Sequence, residues 1–249
     1  MKEAAAKIRA GWLPVHTNEF GTPLLNSAFE QAREAARHRL LCYINADIVL
    51  LSDFLPAIQN INLKRFLVGG QRWNLDVSHP LDFEDPEWER RIRQRVSQEG
   101  VLYPVYGMDY FVFPRESELT HLPAFAVGRP KWDNWMIFNA RRLGIPVIDV
   151  TQGVTVVHQN HDYAHVKDRK GTHWEGAEAD RNLALAGGEN CLLNLADSTH
   201  VLKNGRVRAA LDYEHVRRRL TVATPILHPR LRPLVNALSS IRKWLKLPL

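Results

Sequence analysis

Three short stretches concentrate the polar groups able to do chemistry. In His158-Gln159-Asn160-His161-Asp162-Tyr163-Ala164-His165, three histidines and an acid fall close together. Imidazole is a good ligand for a borderline divalent ion such as Mn²⁺ or Zn²⁺. His158, directly after the apolar run Val154 to Val157, stands where a strand end would deliver it, and a polar surface loop is the plainer account of His165. Asn45-Ala46-Asp47 closes a second apolar run, Leu40 to Ile44. A carboxylate there can hold a hard divalent cation, which in turn neutralises a diphosphate; an Asx turn closing the strand is the competing explanation. Lys131-Trp132-Asp133-Asn134-Trp135 opens a helical segment. Asp133 has the chemistry of a general base for a hydroxyl nucleophile, or of an acid favoured by the helix dipole. Trp132 and Trp135 could stack on a sugar face, or belong to the core.

Two further groups are less specific. Arg72, in Gln71-Arg72-Trp73, could grip phosphate oxygens bidentately or form a structural ion pair. Asp109, in Gly107-Met108-Asp109-Tyr110, could orient an acceptor hydroxyl or close a turn. A metal-dependent hydrolase built from His158, His161, Asp162 and His165 is a weaker alternative, because these residues read as one loop and not as the helix that carries the histidine pair of the common zinc hydrolases.

The elements that must carry these groups alternate in type. Thr22-Pro23 has the form of a helix start, Thr22 as cap and Pro23 as first helical residue, and Leu24, Leu25, Ala28, Phe29, Ala32 and Ala36 follow at helical spacing. Leu40 to Ile44 reads as a buried parallel strand, with Cys42 as a buried thiol, and Ser52 as the cap of the next helix. Phe66 to Gly70, Tyr110 to Phe113, Ile145 to Val150 and Val154 to Val157 read as further strands. A charged helix follows Asp85-Pro86 with Trp88, Ile92 and Val96 inward, and Trp132 to Leu143 is helical. Such alternation predicts an α/β sheet flanked by helices, with ligands bound beyond the carboxyl ends of its strands.

Composition bounds the class. The 249 residues are 45% hydrophobic and 24% charged, ordinary for one large globular domain. No apolar run approaches the ~20 residues of a membrane span, and the N-terminal stretch lacks a signal-peptide core. Two cysteines are too few for a disulfide framework and fit a reducing cytoplasm. The net charge of +6 is uneven: from Val201 onward basic residues far outnumber acids, and the body before it is mildly acidic. A broad nucleic-acid face is therefore not expected. Residues 1–197 read as the main domain and 198–249 as a basic helical extension. Within it Leu238, Ile241, Trp244 and Leu245 form an apolar stripe flanked by Arg242, Lys243 and Lys246, which suits either packing on the domain or an anionic membrane surface.

The order of these motifs carries a resemblance. Asn18 to Asn26, Tyr43 to Ile48, Gly69 to Trp73, Gly107 to Phe113, Trp132 to Trp135 and Val157 to Tyr163 occur in a sequence that resembles the GT-A glycosyltransferases, especially their family-2-like group; Trp174 to Asn182 resembles it too. The resemblance implies a GT-A, Rossmann-like mixed sheet and a metal-dependent, inverting transfer of sugar from a nucleoside-diphosphate donor to an acceptor hydroxyl on a glycan or lipid-linked molecule. Asn45-Ala46-Asp47 stands at the place of the DxD motif, with Asn in place of its first acid. Asp133 matches the catalytic acid at a helix start, and His158 the distal metal ligand. Asn45, Asp47 and Arg72 are then expected on the donor side, Asp109, Trp132 and Trp135 on the acceptor side, and Mn²⁺ or Mg²⁺ on Asp47 and His158. The first nucleotide-binding strand of that group has no counterpart before Asn18, so the fold is expected to be N-terminally incomplete. The alternative this opens is a non-catalytic remnant that binds a carbohydrate or a protein.

Overall fold

The computed structural model describes residues 2–161 and 175–244. The chain opens with α1 (Lys2–Lys7) and α2 (Leu25–Ala35), then β1 (Leu40–Ile44), β2 (Ile48–Leu50) and α3 (Phe54–Gln59). Strands β3 (Leu67–Gly69) and β4 (Trp73–Leu75) lead to α4 (Trp88–Glu99), β5 (Val101–Leu102) and β6 (Tyr110–Pro114). Helix α5 (Trp132–Arg142), strands β7 (Val147–Asp149) and β8 (Val156–Gln159), and α6 (Ala177–Ala186) follow. The last part comprises β9 (His200–Lys203), β10 (Arg206–Ala209), α7 (Tyr213–Arg218), α8 (Thr224–Leu227) and α9 (Arg232–Trp244).

Among the described residues the strands form two mixed sheets flanked by helices, one in the order β1-β6-β3-β7-β9-β10, the other β2-β8-β4-β5. The coarse α/β class expected from alternation is the one observed. β6 shows why the larger sheet is stable. All five of its residues are buried, and its side chains alternate between two cores. Phe111 and Phe113 join Leu25, Phe29, Trp132 and Met136 on one face; Tyr110 and Val112 join Phe54, Ile58 and Val68 on the other. Burying each such side chain contributes about 1.5–3 kcal/mol. A third cluster, Leu51, Leu75, Ile92, Val96 and Val157, lies under α4 and seats the smaller sheet. Ile92 and Val96 are thus inward as the helical spacing predicts.

Four expectations are corrected. β1 is not a buried parallel strand: it runs antiparallel to β6, Leu40 opposite Pro114 and Ile44 opposite Tyr110, at the end of the sheet. At that edge Cys42 is exposed rather than a core thiol. The helix expected at Thr22-Pro23 begins only at Leu25, because Pro23 and Leu24 are first held in bridges to Thr17 and Ala126. Ser52 does not cap α3; its hydroxyl donates to Glu89 at 2.7 Å, and Asp53 takes the cap position.

The sheet also continues past residue 197, where a helical extension was expected. β9 pairs parallel with β7, Leu202 is core, and β10 returns antiparallel through Asn204-Gly205. Both turn residues have positive φ, 52° and 69°, which the two central positions of a type I′ hairpin require and which Asn and Gly tolerate best. Beyond the hairpin, Ala223 joins the main core, and α9 follows. Among the described residues no helix is long and apolar enough to cross a membrane.

Candidate functional site

The turn after β1 gathers one group of candidate residues. Asn45 continues the β1–β6 ladder, its amide donating to the Asp109 carbonyl at 2.9 Å. Its side chain accepts from the Tyr43 hydroxyl at 2.7 Å and donates to Asp109 Oδ1 at 2.7 Å. The other Asp109 oxygen forms an ion pair with Arg72, whose Nε donates to Asn74 at 3.2 Å. The guanidinium also lies 4.0 Å from the Tyr103 ring centre, a cation–π stack. Arg72 is buried. Of the two roles open to it, the structure shows the ion pair. Asp109 is likewise engaged, holding Asn45 and Arg72 in place.

Asp47 turns to the other side. β2 pairs antiparallel with β8, placing Ile48 opposite His158, so the strand end brings His158 Nε2 within 3.4 Å of Asp47 Oδ2. His161 Nε2 approaches the same oxygen at 2.9 Å. One ligand atom from each of the three residues lies within 4.8 Å of the others. Burial works against the Asp47 charge, yet hydrogen bonds from His158 and His161 and the charge of His158 prevail and hold the carboxyl at about 2. Asp47 Oδ1 and His158 Nδ1 are buried and make no hydrogen bond within the protein, so each keeps bonding capacity that a water or a bound ion could take up. Two imidazoles and a carboxylate are a donor set that suits a first-row divalent ion, so the residues fit the Mn²⁺ expectation better than Mg²⁺, which favours oxygen. His161 was expected only in the hydrolase alternative; Asp162 and His165, the rest of that alternative, lie outside the described residues.

Asp133 stands in the second group. It sits in the first turn of α5, and the Met108 amide donates to its Oδ2 at 3.3 Å. Burial raises its pKa to about 6, against the pull of backbone hydrogen bonds at Asn134, Met108 and its own amide and of the nearby Arg72 charge. An acid shifted in this way is not a helix-end carboxylate stabilised chiefly by the dipole. A carboxyl whose proton affinity burial raises in this way has the chemistry to exchange a proton with a bound hydroxyl. The residue before the helix, Lys131, has φ 83°; a non-glycine residue in this region costs about 1–3 kcal/mol and persists where surroundings enforce it.

Asp133 faces a cavity of about 630 Å³, lined by Tyr43, Asn45, Arg72, Asp109, Trp132 and Asp133 together with the loops 103–108 and 128–131. A cavity of this size and mixed lining suits a small-molecule ligand. Trp132 lines it, its ring 4.8 Å from that of Tyr43. Trp135 does not. One helical turn places it inward against Phe125, 5.3 Å between ring centres, so the acceptor role expected of it gives way to a core role. Asn45 belongs to the cavity wall and Asp47 to the adjoining turn. The Tyr43 phenol reports both groups: burial, then the charges of Asp133 and Asp47, push it well above its ordinary value.

Several residues of the site have no precedent in the sequence reasoning. Tyr103 and Tyr106 stand edge to face, 6.0 Å apart, and Tyr106 is exposed at the cavity wall. The rim loop is braced by α6. Asn182, fully buried, accepts from the Ala126 amide and donates to the carbonyls of Ala126 and Pro130. Glu178 accepts from Arg129 at 2.6 Å and from Asn18 at 2.6 Å. The Trp174 to Asn182 motif held the only sequence signal for this brace, and Trp174 itself lies outside the described residues. No known protein family, no curated protein and no solved structure matches the chain.

Proposed function

We propose that this chain is a glycosyltransferase that moves a sugar from a nucleoside-diphosphate donor to an acceptor hydroxyl with inversion. The observation that carries the proposal is Asp133: a carboxyl whose pKa burial raises to about 6, lining a cavity together with Asn45, which stands two residues before Asp47 of the Asp47, His158 and His161 cluster. The finer assignment, to the GT-A glycosyltransferases and their family-2-like group, rests on the order of motifs along the chain.

In this mechanism the Asp133 carboxylate accepts the proton of the acceptor hydroxyl. The acceptor oxygen then bonds to the anomeric carbon from the face opposite the diphosphate. The bond from that carbon to the diphosphate oxygen breaks, and its electron pair leaves with the nucleoside diphosphate. Asp47 and His158, joined by His161, would hold a divalent ion, which when bound supplies positive charge beside the leaving diphosphate. Asn45, fixed by Tyr43 and Asp109, presents a neutral polar group on the donor side of the cavity. Tyr106, exposed at the cavity wall, offers apolar ring surface to a sugar or acceptor, and Trp132, buried against Tyr43, shapes the wall behind it. Arg72 acts on the diphosphate only through the order it imposes on Asp109 and Asn45, unless donor binding draws it off Asp109.

The test is a screen of nucleoside-diphosphate sugars with Mn²⁺ and mixed glycan and lipid-linked acceptors, following release of the nucleoside diphosphate. Release from at least one donor that depends on metal and is accelerated by an acceptor is the expected result. If no donor is consumed, the transferase proposal fails. The Arg72–Asp109 ion pair favours one other function, a carbohydrate- or protein-binding module, since it engages a cation of the cavity wall that a diphosphate would otherwise need. Saturable glycan binding with no donor turnover distinguishes that module from the enzyme.

A further inference from the structure

The last helix leaves an apolar row uncovered. Leu234 and Leu238, one helical turn apart on α9, are each 58% exposed, and Leu231 just before the helix is 43% exposed. Residues at i and i+4 share one face, so the two leucines form a stripe rather than scattered contacts. The attached side of the helix is a different one: Val235 and Arg232 are half-buried, and Arg232 donates to Asn190 Oδ1 at 3.3 Å. Of the two settings open to the tail stripe, packing on the domain does not hold for its first residue, Leu238. Leu245 of that stripe and the flanking Lys246 lie outside the described residues.

Charge states what could cover the row. Between Arg230 and Trp244 the sequence holds Arg230, Arg232, Arg242 and Lys243 and no acid. A partner must therefore offer negative charge at its surface and an apolar layer directly beneath it. Nucleic acid offers the first without the second. An anionic bilayer offers both, and a helix with apolar and basic sides lies in its headgroup boundary.

We propose that α9 docks this protein on an anionic membrane surface, with Leu231, Leu234 and Leu238 entering the headgroup boundary. The consequence for the cavity follows from two contacts. Asn190, held by Arg232, adjoins Glu189, and Glu189 pairs with Lys131 at 3.1 Å; Lys131 is part of the cavity wall beside Asp133. The docked helix thus stands next to the rim of the cavity. If the transferase proposal holds, on which this step rests, the acceptor is a hydroxyl carried by a lipid-linked molecule in that membrane.

Cosedimentation of the whole chain with vesicles decides the matter without any turnover. Phosphatidylcholine vesicles containing phosphatidylserine are compared with phosphatidylcholine alone over a series of salt concentrations. The chain is expected to pellet with the anionic vesicles and not the neutral ones, and to be released as salt rises, because lipid charge is screened within a Debye length. Leu234→Glu/Leu238→Glu changes two exposed positions to a good helix former, and its folding is checked by circular dichroism. It should lower partitioning by about tenfold or more, and Arg230→Glu by about fivefold or more. Absence of pelleting with anionic vesicles, equal pelleting with neutral ones, or unchanged partitioning of the double leucine variant overturns the proposal. The composition and salt comparisons on the unsubstituted chain stand even if the variant misfolds. A chain that binds vesicles yet consumes no donor would refute the transferase and leave the docking surface intact.

Discussion

Asp133→Asn is expected to remove transfer while leaving the fold in place. Asparagine keeps the shape and still accepts from the Met108 amide, but it cannot take up a proton. Loss of a positioned base costs about 10²–10⁴-fold in rate. Stability responds in the opposite sense from that of an ordinary helix-end acid. Because the folded-state pKa is raised from 3.8 to about 6, the folded chain binds more protons than the unfolded chain between those values. Stability conferred by the protonated form is full below about 4 and is lost as pH rises through about 6. At neutral pH the buried charge is therefore a cost, and the neutral amide removes it. The thermal midpoint of the variant at neutral pH should hold or rise. Were Asp133 only a dipole-stabilised acid, activity would survive and stability would fall by about 0.3–1 kcal/mol.

The same group sets the pH profile. The base is active when deprotonated, so kcat/KM should rise with pH through about 6 and level off above it. A profile flat between pH 5 and 8 would remove Asp133 from the proton-transfer step. Differential scanning calorimetry and initial rates on the same preparations check both expectations.

The parts of the fold legible in the sequence are those where burial of an element is either complete or confined to one stripe. Tyr110 to Phe113 is one continuous apolar run because β6 has core on either side, and α4 shows its inner stripe because only Ile92 and Val96 of it are buried. Leu40 to Ile44 gives the same signal and means something else. An apolar run specifies a strand but not its neighbours, and β1 is an antiparallel edge strand. The basic charge after residue 200 masked a plain hairpin signal, Asn204-Gly205, so β9 and β10 were missed.

For the site, the residues at element ends were legible and their supports were not. Asp47, His158 and Asp133 each follow or begin a periodic segment, where ligand groups concentrate. The brace from Asn182 to Ala126 and the contact of Glu178 with Asn18 join residues 56 and 160 positions apart, distances over which local pattern carries no information. Trp135 shows the opposite failure. Its neighbour Trp132 reaches the cavity, but α5 is buried on all sides from Trp135 to Ala140, and a helix so enclosed gives no amphipathic contrast by which to tell core from site.

Asp47→Ala addresses the other half of the mechanism. Asp47 Oδ2 is the atom on which both imidazoles converge, and its removal takes away the one carboxylate oxygen that the two share. Losing even an outer partner of a metal ligand costs roughly 10–100-fold in affinity, and loss of a direct ligand should meet or exceed that. Isothermal titration of the unsubstituted chain and of Asp47→Ala with nucleoside diphosphates, with and without Mn²⁺, is the most direct measurement. The expected result is nucleoside-diphosphate binding by the unsubstituted chain that requires Mn²⁺ and is weakened at least ~100-fold by Asp47→Ala. Nucleoside-diphosphate affinity that is the same with and without Mn²⁺, or the same in the two proteins, would contradict it.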